Sequence, residues 1–222
     1  MAISRTEEEN YLVADETLDA RPAQSTATSA ASSIAAGWDA ATTTSAPTDG
    51  YPVDFKQSED PQIIKFIDPD GPFAVYKLHF LQNKAGKKSY ICMGEKCPLC
   101  TVLKHRPEDK KAFSIINFSA PDGPQRQQLV ATPRLYKTIH AAHFSPQGPL
   151  TKNYWAMSRT GKMQTTVYHM NSVKARDLNE DWGLNEAEVE AAVPTFKPYD
   201  RSIIKESSYQ ELLEIAQELV NE

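Results

Sequence analysis

The sequence predicts a mainly β fold with short helices, of the α+β class. Short runs of β-forming residues, separated by turn signals, follow one another between residues 51 and 176. Charge is also divided sharply along the chain, with a basic centre between two acidic segments. All three cysteines lie within the nine positions 92–100, which is typical of a metal site and not of a disulfide framework. These observations predict a compact β-rich core with an inserted metal-binding subdomain.

Residues 1–50 are predicted to form a disordered tail. Ala, Ser and Thr dominate the stretch from Ala23 to Pro47. Such a composition buries too little apolar area to offset the entropy lost on ordering. Within the tail, Ile34–Ala41 contains Trp38, and it is either a short docking motif or a linker that happens to hold a tryptophan.

The core is predicted to span residues 51–176 and to contain about five to six strands and one short helix. The helix is expected over Pro133–His143, because Pro133 suits a first helical position and Leu135, Ile139 and Ala142 follow helical spacing. This content matches an OB-fold-like barrel, with a β-sandwich as the main alternative. The strand runs are Ile63–Ile67, Phe73–Leu81, Ser89–Cys92, Ala112–Ser119, Gln127–Ala131, Tyr154–Ser158 and Thr165–Val173.

Residues 177–222 are predicted to be an acidic, helical C-terminal tail. Asn185–Ala192 is a short acidic helix candidate. Ser207–Val220 has an amphipathic pattern, with glutamates on the face opposite to the apolar one. The predicted apolar face consists of Leu212, Leu213, Ala216, Leu219 and Val220.

The distribution of charge is more informative than the formal net charge of −5. Residues 73–176 carry 17 Lys/Arg and 4 Asp/Glu, a net charge of +13. Residues 1–72 and residues 177–222 each carry a net charge of −9. A basic centre between acidic segments predicts a polyanion-binding core whose tails compete for it or recruit partners, although a basic domain with solvated lysines has the same pattern.

The cysteines follow the pattern Cys92-x4-Cys97-x2-Cys100. A Cys-x2-Cys pair in a turn is suited to one tetrahedral zinc ion, and the third thiolate comes from the end of the preceding strand. The favoured fourth ligand is His79, on the hairpin partner strand, and His105 is the alternative. We expect the Zn²⁺ to be structural, since four protein ligands leave no open position for water. Free thiols or a redox pair are the competing interpretations.

In the basic segment, residues 73–176, cationic and aromatic residues alternate, which is the combination that binding of single-stranded nucleic acid requires. Lysine and arginine are rarely buried, so the cations are the stronger candidates, while each aromatic ring can equally belong to the core. The predicted nucleic-acid contacts are Tyr76, Lys77, Lys87, Lys88, Tyr90, Arg134, Tyr136, Lys137, Trp155, Arg159 and Lys162.

Other function classes are disfavoured by the sequence. There is no P-loop, G-x-S-x-G or H-E-x-x-H motif, so we do not expect an enzyme. The N-terminus shows no signal peptide and no run of about 18 apolar residues occurs, which predicts a cytoplasmic protein without a membrane partner. The alternative function is a zinc-stabilised protein-interaction or transcription-regulating module.

Four stretches resemble single-stranded DNA-binding proteins of actinobacterial tailed phages: GWDAA at 37–41, PFAVYKLHF at 72–80, KSYICMGEKCPLC at 88–100 and KARDLNEDWGL at 174–184. The order His79-x12-Cys92, then Cys97-x2-Cys100, is also similar to the zinc subdomain of the T-even phage helix-destabilising protein, although the gap between the first two cysteines is shorter here and the basic turn differs.

This resemblance implies an OB-fold that binds single-stranded DNA during replication, recombination and repair. It implies that His79, Cys92, Cys97 and Cys100 hold zinc, and that the acidic C-terminal segment engages replication or recombination proteins. It would place the protein in the cytoplasm of a host cell.

Overall fold

The fold is given by a computed structural model of the chain, which describes residues 52–82 and 84–220. These residues all lie in one compact unit. The predicted disordered tail, with its docking motif at Ile34–Ala41, lies outside the described residues.

The described residues form seven strands and five α-helices. The strands are β1 (Gln62–Phe66), β2 (Ala74–Phe80), β3 (Ser89–Ile91), β4 (Glu108–Asn117), β5 (Gln125–Ala131), β6 (Tyr154–Thr160) and β7 (Val167–Val173). The helices are α1 (Pro98–Thr101), α2 (Pro133–His143), α3 (Asp177–Trp182), α4 (Glu186–Ala192) and α5 (Tyr209–Val220). The predicted α+β class is therefore confirmed.

The strands form one antiparallel sheet in the order β3-β2-β4-β1-β6-β7, with β5 also paired to β4. β4 organises this sheet because its first half pairs with β2 and its last residues pair with β1, while β5 runs along its opposite edge. Among residues 52–82 and 84–220 the pairing does not close into a barrel. The structure thus establishes a mostly antiparallel sheet with short helices, and not a closed OB barrel.

Helix α2 covers one part of the sheet and has the predicted bounds. Thr132 caps it by accepting a hydrogen bond from the Leu135 amide at 3.4 Å, and Pro133 occupies the first turn. Leu135 and Ile139 are buried against an apolar cluster that includes Phe66, Phe113, Leu129 and Trp155. The helical spacing of apolar residues was therefore a correct indicator of the face that packs.

The segment after Arg176 also contributes to the core. Tyr199 is buried, its amide donates to Ser114 Oγ at 2.8 Å, and the Arg126 guanidinium lies 4.2 Å from its ring centroid. Ile204 packs in a cluster with Phe73, Tyr76 and Ile91.

The apolar face of α5 differs from the predicted one. Leu212, Ile215 and Ala216 are buried, whereas Val220 is 58% exposed. Residues at i, i+3 and i+4 share a helix face, and Ile215 lies between Leu212 and Ala216 on that face. Ile215 therefore belongs to the buried face, and Val220, which the sequence predicted to lie on that face, does not.

A buried carboxyl group joins the loop after β1 to β4. Asp68 Oδ2 accepts a hydrogen bond from the Ser114 amide. Burial raises the pKa of Asp68 to about 7, and the hydrogen bonds from Ser114 offset this only in part. The folded protein therefore holds a proton on Asp68 at pH values where the unfolded chain releases it.

This burial predicts a pH-dependent loss of stability that Asp68→Asn removes. The folded-state pKa lies above the ordinary value of 3.8, so the contribution of Asp68 to stability falls as pH rises from about 4 to about 7. The full change is on the order of 4 kcal/mol. We would measure the free energy of unfolding of the wild type and of Asp68→Asn by chemical unfolding between pH 4 and 8. The difference between the two proteins should change across this window. Asp70→Asn, at an exposed position, is the matched control. An equal dependence of the free energy of unfolding on pH in both variants would contradict the prediction.

Candidate metal centre and basic grooves

The hairpin β2–β3 and the turn that follows it bring four side chains together. His79 lies on β2 opposite Tyr90, and the Cys92 amide extends the ladder by donating to Lys77 O at 2.8 Å. The chain then turns at Gly94, whose φ of 82° favours glycine, and enters α1 with Cys97 at its N-cap. Cys100 lies inside α1, one helical turn after Cys97, so both thiols face the strand residues.

The geometry of the cluster fits a tetrahedral metal ion. The ligand atoms of His79, Cys92, Cys97 and Cys100 all lie within 4.8 Å of one another. His79 Nε2 is 3.5 Å from both Cys97 Sγ and Cys100 Sγ, and the sulfurs of Cys92 and Cys100 are 3.6 Å apart. A tetrahedral zinc ion with Zn–S bonds of about 2.3 Å separates its ligand atoms by about 3.5–3.8 Å. Sulfurs at 3.6 Å are also too far apart for a disulfide.

Burial and hydrogen bonding between the thiols give the individual thiols different pKa values. His79, Cys92 and Cys97 are buried, and Cys100 is half-buried. Hydrogen bonding from Cys92 lowers the pKa of Cys97 well below its usual range, and His79 lowers it further. The same hydrogen bond, together with burial, raises the pKa of Cys92. The cluster thus holds one thiolate readily, and a metal ion would displace the remaining protons.

His79, and not His105, belongs to the cluster. The Nε2 atom of His79 faces the thiols, while its Nδ1 atom lies 3.0 Å from Nδ1 of His105. The half-buried His105 therefore contacts the predicted ligand on the side away from the sulfurs.

The C-terminal helix packs directly on this cluster of candidate ligands. Leu99, between Cys97 and Cys100, is fully buried in a cluster with Leu212, Ile215 and Ala216 of α5. Two ion pairs flank this contact: Lys84 to Glu218 at 2.9 Å and Lys87 to Glu211 at 3.0 Å. The acidic helix thus covers part of the basic turn between β2 and β3.

Three aromatic residues predicted to contact nucleic acid lie in the core. Trp155 is fully buried and donates from Nε1 to Leu150 O at 2.8 Å. Tyr76 and Tyr90 are also buried, and the Tyr90 hydroxyl donates to Lys87 O at 2.8 Å. Trp155 and Tyr90 therefore belong to the core and are not exposed for base contacts, whereas Tyr76, although buried, also lines a groove together with Lys87.

One groove, of about 560 Å³, is lined by four lysines, by Asp54 and by a set of apolar residues that we call its floor. Of the predicted cations only Lys87 lines it; Lys56, Lys110 and Lys205 were missed. Lys56 and Lys205 lie in segments of negative net charge, so segment charge gave no signal for them. The floor is formed by Tyr76, Leu78, Ile91, Val130, Ile203 and Ile204.

The other predicted contacts lie elsewhere on the surface. Arg134 lines a second groove of about 440 Å³ with Met163 and Tyr168, and donates to Thr166 O at 3.0 Å. Tyr136 is half-buried, with Lys111 Nζ 4.7 Å from its ring centroid. Lys88 is half-buried and donates to Gln82 O at 2.8 Å. Four further cations are exposed: Lys77, Lys137, Arg159 and Lys162.

An ion pair joins residues that line the two grooves. Lys110, which lines the first groove, lies 2.7 Å from Glu108, which lines the second. Of the predicted cations, Lys87 lines the first groove and Arg134 lines the second.

Within the described ranges, every helix is too short or too polar to cross a membrane. Comparison with protein-family models, with curated proteins and with solved structures finds no match for this chain.

Proposed function

We propose that this protein binds single-stranded DNA without sequence preference and that its cysteine-histidine cluster holds a structural Zn²⁺ ion. The observation that carries the proposal is the groove lined by Lys56, Lys87, Lys110 and Lys205 over an apolar floor. Lysines along a groove neutralise successive phosphates, and apolar surface accommodates the exposed bases of a single strand.

The zinc ion would stabilise the fold and would take no part in a chemical reaction. The donor set of three thiolates and one imidazole suits zinc, and four ligands leave no open position for a reacting water. Zinc would fix the turn between β3 and β4 and with it the β2–β3 hairpin, which supplies Leu78, Lys87 and Ile91 to the groove. We accordingly propose a binding role and no catalytic one.

The sheet supports an OB-like interpretation of this site. OB-folds are five-stranded, partly open Greek-key barrels. The sheet described here is also open, and β4 pairs with β2 and β1 on one edge and with β5 on the other. We interpret the open sheet as such a partly open barrel, consistent with the resemblance to phage single-strand-binding proteins and with a role in replication, recombination and repair.

The proposal is tested by fluorescence anisotropy with a labelled oligo-dT and a duplex of equal length, each at two salt concentrations. We expect salt-sensitive binding to the single strand and much weaker binding to the duplex. Equal binding to both, or none, would overturn the proposal, and duplex preference would favour the transcription-regulating alternative.

The acidic helix α5 is proposed to compete with DNA for the basic turn, and to offer its glutamates to replication or recombination proteins. Lys87 lines the groove and is paired with Glu211, and Lys84 is paired with Glu218. Exposed ion pairs of this kind are each worth about 0.2–1 kcal/mol, so DNA can displace them.

Glu211→Gln with Glu218→Gln should therefore tighten single-strand binding while α5 stays docked. Releasing two lysines at about 0.2–1 kcal/mol each predicts an affinity increase of about two- to thirtyfold at low salt. The matched control is Glu180→Gln with Glu188→Gln, which removes equal charge from exposed positions on α3 and α4. Equal tightening in both variants would assign the effect to net charge and contradict competition by α5.

A further inference from the structure

We infer that His105 is a positioning residue for the metal centre: it accepts a hydrogen bond from Nδ1 of His79 and so holds that imidazole in the tautomer that can bind the metal through Nε2. The inference rests on the proposed zinc site. It gives a role to a residue that the sequence analysis considered only as an alternative ligand.

The first step of the argument is the orientation of His79. Its Nε2 atom lies 3.5 Å from the sulfurs of Cys97 and Cys100, so the metal would bind Nε2. A neutral imidazole that gives its Nε2 lone pair to a metal carries its proton on Nδ1. Nδ1 lies 3.0 Å from Nδ1 of His105, so this proton has one acceptor in hydrogen-bonding distance.

The second step concerns the environment of His79. The side chain is fully buried, and a buried N–H without an acceptor costs about 1–3 kcal/mol. Metal-binding histidines regularly donate their second ring nitrogen to an outer group that fixes their tautomer and orientation. For His105 to accept, its own proton must reside on Nε2, which is the specific tautomer that the inference requires.

The third step is the backbone that presents His105. The chain leaves α1 through a turn in which the His105 amide donates to Leu99 O at 2.9 Å. Lys104, just before it, has a φ of 55°, a left-handed conformation that is unfavourable for a residue with a side chain. The two imidazole planes are inclined by 57°, with centroids 5.3 Å apart, so the contact is made through ring nitrogens and not by stacking. The strained turn thus directs His105 back onto the metal centre.

The test measures zinc retention in the full-length, Zn²⁺-loaded protein by transfer to an excess of a chromophoric chelator. His105→Phe keeps a ring of similar size but removes the acceptor, and should accelerate zinc loss by about 10- to 100-fold. His105→Asn restores an acceptor near the Nδ1 position and should return the rate to within a few-fold of wild type. Lys104→Gly is the backbone control, since glycine adopts the same φ, and it should leave the rate unchanged.

A spectroscopic measurement on the wild-type protein keeps the inference independent of how the variants fold. Long-range ¹H–¹⁵N spectra of the Zn²⁺-loaded chain should show His79 protonated at Nδ1 and His105 protonated only at Nε2. Equal zinc loss from wild type and His105→Phe, or a His105 ring that binds the metal, would overturn the inference and leave the zinc site standing. A wild-type chain that retains no Zn²⁺ would overturn the site and the inference together.

Discussion

Substitution of Cys97 by serine is expected to abolish stoichiometric zinc retention and to release helix α5 from the metal centre. Cys97 is fully buried and contributes a thiolate that His79 and Cys92 stabilise. Without zinc, the turn from residue 92 to residue 100 loses its main crosslink. Leu99 then no longer holds its position against Leu212 and Ile215, and α5 loses the surface on which it packs.

The expected loss of stability is about 4 kcal/mol or more, because loss of a structural metal is among the few mechanisms that give such values. The measurements are the zinc-to-protein ratio and the hydrogen exchange of backbone amides in α5, which should become much faster. Chelation of wild-type protein should reproduce both effects. Val102→Ala, at a partly exposed position just after α1, is the control that alters the same region but no ligand. A Cys97→Ser protein with one bound zinc and unchanged exchange would contradict the role given to the cluster.

Much of the secondary structure could be predicted because local signals and tertiary packing agree. α2 has the predicted bounds since Thr132 caps it and Pro133 starts it, and both preferences depend only on neighbouring residues. The β2–β3 and β6–β7 hairpins also follow from turn-forming residues between β-branched and aromatic runs. The cysteines of the candidate metal site could be predicted as well, because a Cys-x2-Cys turn is a local arrangement.

The features that the sequence did not predict correctly depend on tertiary contacts. β4 begins at Glu108, four residues before the predicted start, because Glu108–Lys111 pair with β2 despite their polarity. α1 is only four residues long and has too few positions for a helical period. Periodicity also could not show which face of a strand is covered, so Trp155 and Tyr90, which are buried, were predicted to contact nucleic acid.

The choice between His79 and His105 illustrates the same limit within the site. Both residues lie at plausible spacings from the cysteines. The ladder of β2 and β3 brings His79 beside the thiols, and the left-handed turn at Lys104 places His105 behind it. A sequence pattern detects a set of candidate ligands, but only the fold shows which histidine faces the thiols.

Neutralising the groove lysines should weaken single-strand binding by on the order of 100-fold near 0.1 M salt. Lys56→Gln, Lys110→Gln and Lys205→Gln together remove three cations that line the groove, while Lys87 stays in place to keep its contact with α5. Each phosphate contact to a single strand contributes about 0.7 to the slope of log affinity against log salt. The slope should therefore become shallower by about 2, measured by anisotropy titration of oligo-dT from low to high salt.

The control is Lys152→Gln, Lys174→Gln and Lys197→Gln, which lowers the net charge equally at exposed positions outside the groove. Long-range attraction depends on net charge and would weaken both triple variants alike, whereas phosphate contacts depend on position. A steep loss confined to the groove variant would place the strand over the floor of Leu78, Ile91 and Val130. Equal losses would remove that groove as the binding path and direct attention to Arg134 and the second groove.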